Sequence, residues 1–125
     1  MNIPAELKYT KDHEWAKIEG DVVTIGITDY AQGELGDVVF VELPAAGDTV
    51  EKGNSFGTIE AVKAVADLFS PISGEVVEVN NLLEDAPETV NKDPYGDGWM
   101  VKIKLSDTTE LDELLDAGAY EDLVS

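Results

Sequence analysis

The chain has 125 residues, of which 27 are acidic and eight basic, and its formal net charge is −19 at pH 7. This length suits one domain over residues 1–125. Apolar residues make up 43% of the chain, which is enough to build a core. The acidity argues against nucleic acid and anionic membrane surfaces as partners, because both would be repelled. All eight basic residues are lysines, so no arginine can clamp a phosphate with paired hydrogen bonds.

The sequence contains no cysteine. Disulfides, thiolate nucleophiles and cysteine-based metal sites are therefore excluded, and any thiol chemistry must come from a prosthetic group or a partner. Residues 1–7 lack the basic and apolar regions of a signal peptide, and no apolar run approaches the roughly 18 residues of a spanning helix. We therefore expect a cytoplasmic bacterial protein, with a mature mitochondrial-matrix protein as the alternative.

Six runs are rich in β-branched residues or alternate apolar with polar side chains, which is typical of strands. Turns containing Gly and Pro separate several of them. Two runs meet at Lys63 and Ala64, which predicts a hairpin with Lys63 at its tip. Many short strands of this kind predict a mainly β fold, a sandwich or a barrel. The predicted strands cover residues 22–27, 38–43, 56–62, 65–69, 75–79 and 100–105.

Two segments carry helical signals. Thr28 can cap a short internal helix that Gly36 ends. Near the C-terminus, Asp107 and Glu110 resemble a capping box ahead of leucines at helical spacing. Gly118 is expected to break that helix before one further helical turn. The chain should therefore have a β core with a helical cover near its C-terminus.

The sequence offers no convincing catalytic or metal-binding motif. His13 is the only histidine, and with no cysteine or serine elbow to partner it, we expect a surface or packing role beside Trp15. Residues 91–97 loosely follow a calcium loop, but Lys102 stands where a bidentate glutamate is needed, which favours an irregular loop. No glycine-rich phosphate loop occurs. We therefore expect no metal site and no enzyme activity of the chain's own.

Lys63 stands out as a lone cation in an apolar, β-prone run, with Val62 and Ala64 on either side. A lysine there is costly to bury but easy to present at a hairpin tip. The arrangement favours a lysine that other proteins modify over one that performs chemistry. An ordinary solvated lysine at a strand end is the alternative.

Residues 57–76, around Lys63, resemble the lipoyl-attachment segment of the H protein of the glycine cleavage system. The resemblance extends over essentially the whole chain. Two departures lie near the site, where Ala61 and Ala66 replace two serines of the family pattern; both are small, so the hairpin should survive. The further matching segments are residues 7–9, 13–15, 26–29, 36–41, 94–95, 98–100 and 111–120.

This resemblance implies a flattened β-sandwich of the lipoyl/biotinyl hammerhead type, a barrel-sandwich hybrid, with a short internal helix and C-terminal helices. It implies a monomeric carrier with lipoate attached to Lys63 as an amide. The carrier would take an aminomethyl group from a pyridoxal-phosphate-dependent glycine decarboxylase to a tetrahydrofolate-dependent aminomethyltransferase, and dihydrolipoyl dehydrogenase would reoxidise the arm. A tethered arm suits a small protein that serves several enzymes, because it raises the local concentration at each active site.

Five further residues have expected roles on the same resemblance. Glu60, and Gly47 and Gly74 in the flanking turns, are expected to help the lipoate-attaching enzyme recognise the hairpin. Glu14 and Asp67 match carboxylates of a cleft that holds the loaded, cationic arm in the family.

Three alternatives stay open from the sequence. The chain could keep the H-protein fold and relay lipoyl groups to other enzymes. It could be a biotinyl carrier, although that family favours a methionine beside the lysine. The acidity could steer the chain toward basic partner proteins, or it could reflect solubility or a salt-rich habitat.

Overall fold

The computed structural model describes residues 2–124, and in this part of the chain nine strands form two antiparallel sheets. One sheet has six strands in the order β1-β2-β3-β9-β8-β5, and the other has three in the order β4-β6-β7. The strands are β1 (Lys8–Tyr9), β2 (Glu14–Glu19), β3 (Val22–Ile27), β4 (Val38–Glu42), β5 (Thr49–Val50), β6 (Ser55–Ala61), β7 (Val65–Phe69), β8 (Gly74–Val79) and β9 (Val101–Leu105).

Short helices connect and cover the sheets. Thr28 caps the first of them as predicted, because its side chain accepts a hydrogen bond from the Ala31 N–H, and Gly36 follows its last residue. No helix within residues 2–124 has the length and apolar character that a membrane crossing needs. The helices are α1 (Asp29–Leu35), α2 (Leu82–Asp85), α3 (Thr89–Lys92), a 3-10 helix (Thr108–Glu113) and α4 (Ala117–Val124).

The two sheets share one apolar core. Ile25, Val76 and Ile103 of the six-stranded sheet lie in the same buried cluster as Ile59 and Leu68 of the three-stranded sheet. Fully burying an aliphatic side chain of this size stabilises the fold by roughly 1.5–3 kcal/mol. The mainly β sandwich predicted from the sequence, with one internal helix and helical structure near the C-terminus, is confirmed.

A second, aromatic cluster joins distant parts of the chain. Tyr9 stacks on Tyr120 with ring centroids 4.8 Å apart, and Trp15 is buried beside them. Tyr9 and Leu115 exchange two backbone hydrogen bonds of 2.8 Å. The first strand is therefore fixed by residues close to the C-terminus.

The C-terminal prediction needs two corrections. Gly118 does not break the helix but lies in the first turn of α4, where Asp116 accepts a hydrogen bond from the Ala119 N–H and so caps it. Asp107 does cap a helix, but the helix is of the 3-10 type. The Glu110 side chain does not complete a capping box with Asp107. The Glu110 carboxylate instead accepts hydrogen bonds from the backbone N–H and the hydroxyl of Ser73.

Candidate functional site

Strands β6 and β7 form a hairpin, and the three residues Val62, Lys63 and Ala64 connect them. Across this loop, the Ala61 N–H donates a 2.8 Å hydrogen bond to the Ala64 carbonyl oxygen. Lys63 and both of its neighbours are exposed. The structure therefore presents the Lys63 amine at the hairpin tip, where the sequence predicted it.

Residues 36–38 support the hairpin tip from the side. The Asp37 carbonyl oxygen accepts a 3.0 Å hydrogen bond from the Val62 N–H. The Lys63 stem lies against Gly36, where an added Cβ would be 2.7 Å from Lys63 Cε. Gly36 has φ 82° and ψ −158°, a backbone conformation that essentially only glycine adopts. The space that the Lys63 stem occupies therefore depends on a glycine at position 36.

A cavity of about 320 Å³ lies between α1 and the hairpin. Tyr30 and Leu35 of α1 line one part of it, and Ala66 and Asp67 of β7 line another. Glu14, at the start of β2, also faces this cavity. The structure therefore brings together Glu14 and Asp67, the two carboxylates that the resemblance assigned to one cleft.

The two carboxylates differ in environment, since Asp67 is exposed and Glu14 is only 3% exposed. Glu14 Oε1 accepts a 2.8 Å hydrogen bond from the Thr10 hydroxyl, and Oε2 accepts a longer one of 3.4 Å from the Phe69 N–H. Burial raises the pKa of Glu14 to about 8, and these two hydrogen bonds only partly oppose that rise. Glu14 is therefore mostly protonated at neutral pH when no cation is nearby.

The Thr10 hydroxyl orients Glu14, and sequence reasoning missed it. Its Oγ1 also accepts hydrogen bonds of 3.2 Å from the N–H groups of Asp12 and Glu14, which fixes the turn before β2. A threonine four residues before a buried acid is the available signal, but it is common in exposed turns as well.

His13 has a packing role, as expected, although its ring partners are tyrosines. Its ring lies 4.8 Å from that of Tyr30, and its Nδ1 lies 2.9 Å from the Tyr120 hydroxyl. Burial lowers the pKa of His13. Its backbone has φ 69°, the left-handed region, which places the ring at the edge of the cavity.

The three residues expected to guide the attaching enzyme lie in different places. Glu60 is exposed near the tip, with Phe40 and Val65 as its cross-strand neighbours. Gly47 lies in the turn after β4, ahead of the hairpin, and Gly74 begins β8, just after it, so neither lies at the tip. The hairpin arms of five to seven residues span roughly 16 Å or more.

Gly74 has a structural reason to be glycine. An added Cβ would overlap the carbonyl oxygen of Lys104 on the neighbouring strand. The structure therefore does not bring Gly47 and Gly74 to the Lys63 tip. Their part in recognition stays a prediction, as does that of Glu60.

Metal binding receives no support from the described residues. Within residues 2–124, no three histidine or acidic side chains are grouped so that they could hold a metal ion. The segment 91–97 is the end of α3 followed by turns, in which Asp93 accepts a hydrogen bond from the Asp97 N–H.

The chain matches known proteins over nearly its whole length. The family model "Glycine cleavage H-protein" matches residues 7–125. The chain is 59% identical to the glycine cleavage system H protein of Staphylococcus carnosus, over 99% of this chain and 98% of that protein. It is 55% identical to that of Bacteroides thetaiotaomicron, over 100% of this chain and 99% of the other.

A solved structure agrees with these sequence matches. The crystal structure of a glycine cleavage system H protein from Mycobacterium marinum superposes with a TM-score of 0.89 at 44% identity, covering 96% of this chain and 97% of that one. The chain therefore belongs to the glycine cleavage H-protein family, whose members are non-catalytic carrier components of that system.

Proposed function

We propose that Lys63 carries lipoate as an amide and that the chain shuttles the aminomethyl group of glycine within the glycine cleavage system. The observation that carries the proposal is the exposed Lys63 amine at a hairpin tip beside a cavity containing Glu14 and Asp67. Bound lipoate would supply the dithiol and disulfide chemistry that a chain without cysteine lacks.

The partners in this proposal are the remaining components of the system. Glycine decarboxylase would supply the aminomethyl group, aminomethyltransferase would receive it, and dihydrolipoyl dehydrogenase would restore the disulfide. A lipoate-attaching enzyme would modify Lys63. We place this cycle in a bacterial cytoplasm, since the similar proteins come from bacteria.

The residues around Lys63 fit a long, flexible group attached there. The amine is exposed, and the missing side chain of Gly36 leaves room for the root of the arm. The nearby cavity of about 320 Å³ combines apolar side chains, such as Leu35, with four carboxylates, those of Glu14 and Asp67 and of Asp12 and Glu34. A cavity of this composition suits an apolar chain that ends in a cation.

Glu14 and Asp67 would bind the cationic amine of the aminomethyl group. A cation near Glu14 favours its carboxylate form, so the Glu14 carboxyl would lose its proton as the cation enters. The buried position of Glu14 would also exclude water from the amine, which slows hydrolytic loss of the group.

Attachment at Lys63 is tested by Lys63→Arg, which keeps the charge and removes the acceptor amine. We expect a lipoate-attaching enzyme and lipoate to add one lipoyl group to the unmodified wild type and none to the variant, measured by intact mass. Lys17→Arg, at an exposed position in β2 of the other sheet, should be modified like the wild type. Full modification of Lys63→Arg would show that the site is elsewhere.

Retention of the arm is tested by the double variant Glu14→Ala, Asp67→Ala on the loaded protein. We expect it to release its aminomethyl group to water faster than the wild type, followed as free formaldehyde and ammonia. The double variant Asp21→Ala, Glu75→Ala removes two carboxylates from exposed positions that do not line the cavity, one in the β2–β3 turn and one in β8, and should match the wild type. An unchanged release rate in the first variant would contradict a holding role.

The assay for the whole function is glycine–bicarbonate exchange with glycine decarboxylase. The lipoylated chain should support exchange, and unmodified chain should not. A lipoylated chain that supports no exchange but passes lipoyl groups to other proteins would instead indicate a lipoate relay.

A further inference from the structure

We propose that Gly36 and Asn91 are positioning residues for Lys63: Gly36 directs the Lys63 stem along the end of α1, and Asn91 fixes Gly36 in place. This inference rests on the proposed role of Lys63 as the attachment site. It assigns a purpose to a segment, residues 36–38, that does not itself contain the modified lysine or the cavity carboxylates.

Gly36 sets the direction of the Lys63 stem. Gly36 immediately follows Leu35, which lines the cavity of Glu14 and Asp67. Since the Lys63 stem lies against Gly36, it leaves the hairpin tip at the end of the helix that forms one cavity wall. A side chain at position 36 would push the stem away from that wall.

The Asn91 side chain holds Gly36 in place. The Asn91 side-chain amide donates hydrogen bonds to the Gly36 carbonyl oxygen at 2.8 Å and to Gln32 Oε1 at 3.0 Å. Its Oδ1 accepts a 2.8 Å hydrogen bond from the Val38 N–H. Asn91 therefore binds the backbone on both sides of Asp37, the residue whose carbonyl oxygen holds the Val62 N–H of the tip.

The hydrogen bonds of Asn91 reach the tip indirectly. Within residues 2–124, the Asn91 side chain makes hydrogen bonds to Gln32, Gly36 and Val38, and none to Lys63 or to the cavity carboxylates. It acts on the tip through residues 36–38. A loss of these hydrogen bonds should therefore change how Lys63 is presented without changing the amine or the charges of the cavity.

The test uses Asn91→Asp in the chain before lipoate attachment. This variant keeps the shape and the acceptor for the Val38 N–H, but it sets a carboxylate oxygen against the Gly36 and Gln32 oxygens. We expect a several-fold higher KM for the chain as substrate of the lipoate-attaching enzyme, with kcat nearly unchanged, because binding of the tip and not the chemistry is weakened. The Val62 amide hydrogen should also exchange faster.

Asn80→Asp is the matched control. The Asn80 side chain makes the same kind of network, donating to the carbonyl oxygens of Asp97 and Trp99 and accepting from the Leu82 N–H, but away from the hairpin. It should lower stability comparably and leave both KM and Val62 exchange at wild-type values. Equal KM values for wild type and Asn91→Asp, or an equal effect of Asn80→Asp, would overturn the inference.

A second pair of variants tests the contact between position 36 and the Lys63 stem. Gly36→Ala and Gly20→Ala both place a side chain at positive φ, but an added Cβ meets Lys63 only at position 36 and nothing within 4 Å at position 20. We expect only Gly36→Ala to raise KM. If Lys63 proves not to be the acceptor at all, the proposed function fails, whereas Val62 exchange in Asn91→Asp still decides whether Asn91 holds the tip.

Discussion

Glu14 is a buried carboxyl whose raised pKa suits the cation-binding role proposed for it. Its side chain makes hydrogen bonds to Thr10 and Phe69, yet the loss of hydration outweighs them and raises the pKa to about 8. Part of the rise comes from Asp12, a like charge nearby. The site without a cation therefore avoids a buried charge, and in the role proposed for Glu14 an incoming amine would restore that charge as part of an ion pair.

Glu14 should make the stability of the unmodified chain fall with rising pH. An unfolded glutamate ionises near pH 4.5 and the folded Glu14 near pH 8, so between these values the unfolded state gains more from deprotonation. Relative to Glu14→Gln, the wild type should therefore lose up to about 1.4 kcal/mol of unfolding free energy per pH unit over this range. Urea unfolding at several pH values from 5 to 8 measures it.

The control is Glu75→Gln, at an exposed position in β8. Its stability difference from the wild type should stay nearly constant over the same pH range. A Glu14→Gln difference that is equally constant would mean that Glu14 ionises normally in the folded chain.

At the scale of elements, the hairpin and α1 could be predicted because their signals are local. Thr28 and Gly36 bound α1 within nine residues, and the two apolar runs around Lys63 are adjacent in sequence. The first strand went unpredicted because it lacks such a signal. β1 has two residues, and its further partner, Leu115, lies more than 100 positions away.

The candidate site could be predicted only in part, for the same reason. Lys63 is marked by its own neighbours, and Glu14 and Asp67 were assigned through the family resemblance. Asn91 could not be found, because its partners Gln32 and Gly36 are 59 and 55 residues away and no periodic pattern connects them.

The C-terminal helix α4 should depend on the Tyr120 hydroxyl. This hydroxyl lies 2.7 Å from Thr28 Oγ1 and 2.9 Å from His13 Nδ1, in a buried setting. Tyr120→Phe keeps the stacking on Tyr9 but leaves both groups without this partner, which should cost about 1–3 kcal/mol of unfolding free energy. Urea unfolding at pH 7 gives the value.

Tyr30→Phe is the comparison for this experiment. The described contacts of Tyr30 include the His13 ring but no hydrogen bond from its hydroxyl, so this variant should lose much less stability. Equal losses in the two variants would show that the Tyr120 hydroxyl does not hold α4 in place.

At the scale of the whole molecule, acidic side chains greatly outnumber basic ones, which gives the net charge of −19. Within residues 2–124 the ion pairs found are Lys52 with Glu113 and Lys102 with Glu78. Exposed charges interact over a Debye length of about 8 Å at physiological salt, so they mainly change association rates. A carrier that must find and leave several enzymes benefits from fast, weak encounters.

We therefore expect docking to basic patches around the active-site entrances of the partner enzymes. The association rate constant with glycine decarboxylase should fall as ionic strength rises, while the dissociation rate constant changes little. Stopped-flow binding over a range of salt concentrations measures both. An association rate that does not respond to salt would leave the acidity as a feature of solubility or habitat.

The pairing of Tyr9 with Leu115 also fixes an order of events during synthesis. The hairpin strands β6 and β7 can pair soon after residue 69 has left the ribosome, whereas β1 must wait for residues near the C-terminus. Until Leu115 and Tyr120 emerge, the backbone edge of β1 has no strand partner beyond β2, and the Tyr9 ring has no stacking partner. The lysine-bearing hairpin can therefore pair before the aromatic cluster closes, because that cluster needs Tyr120.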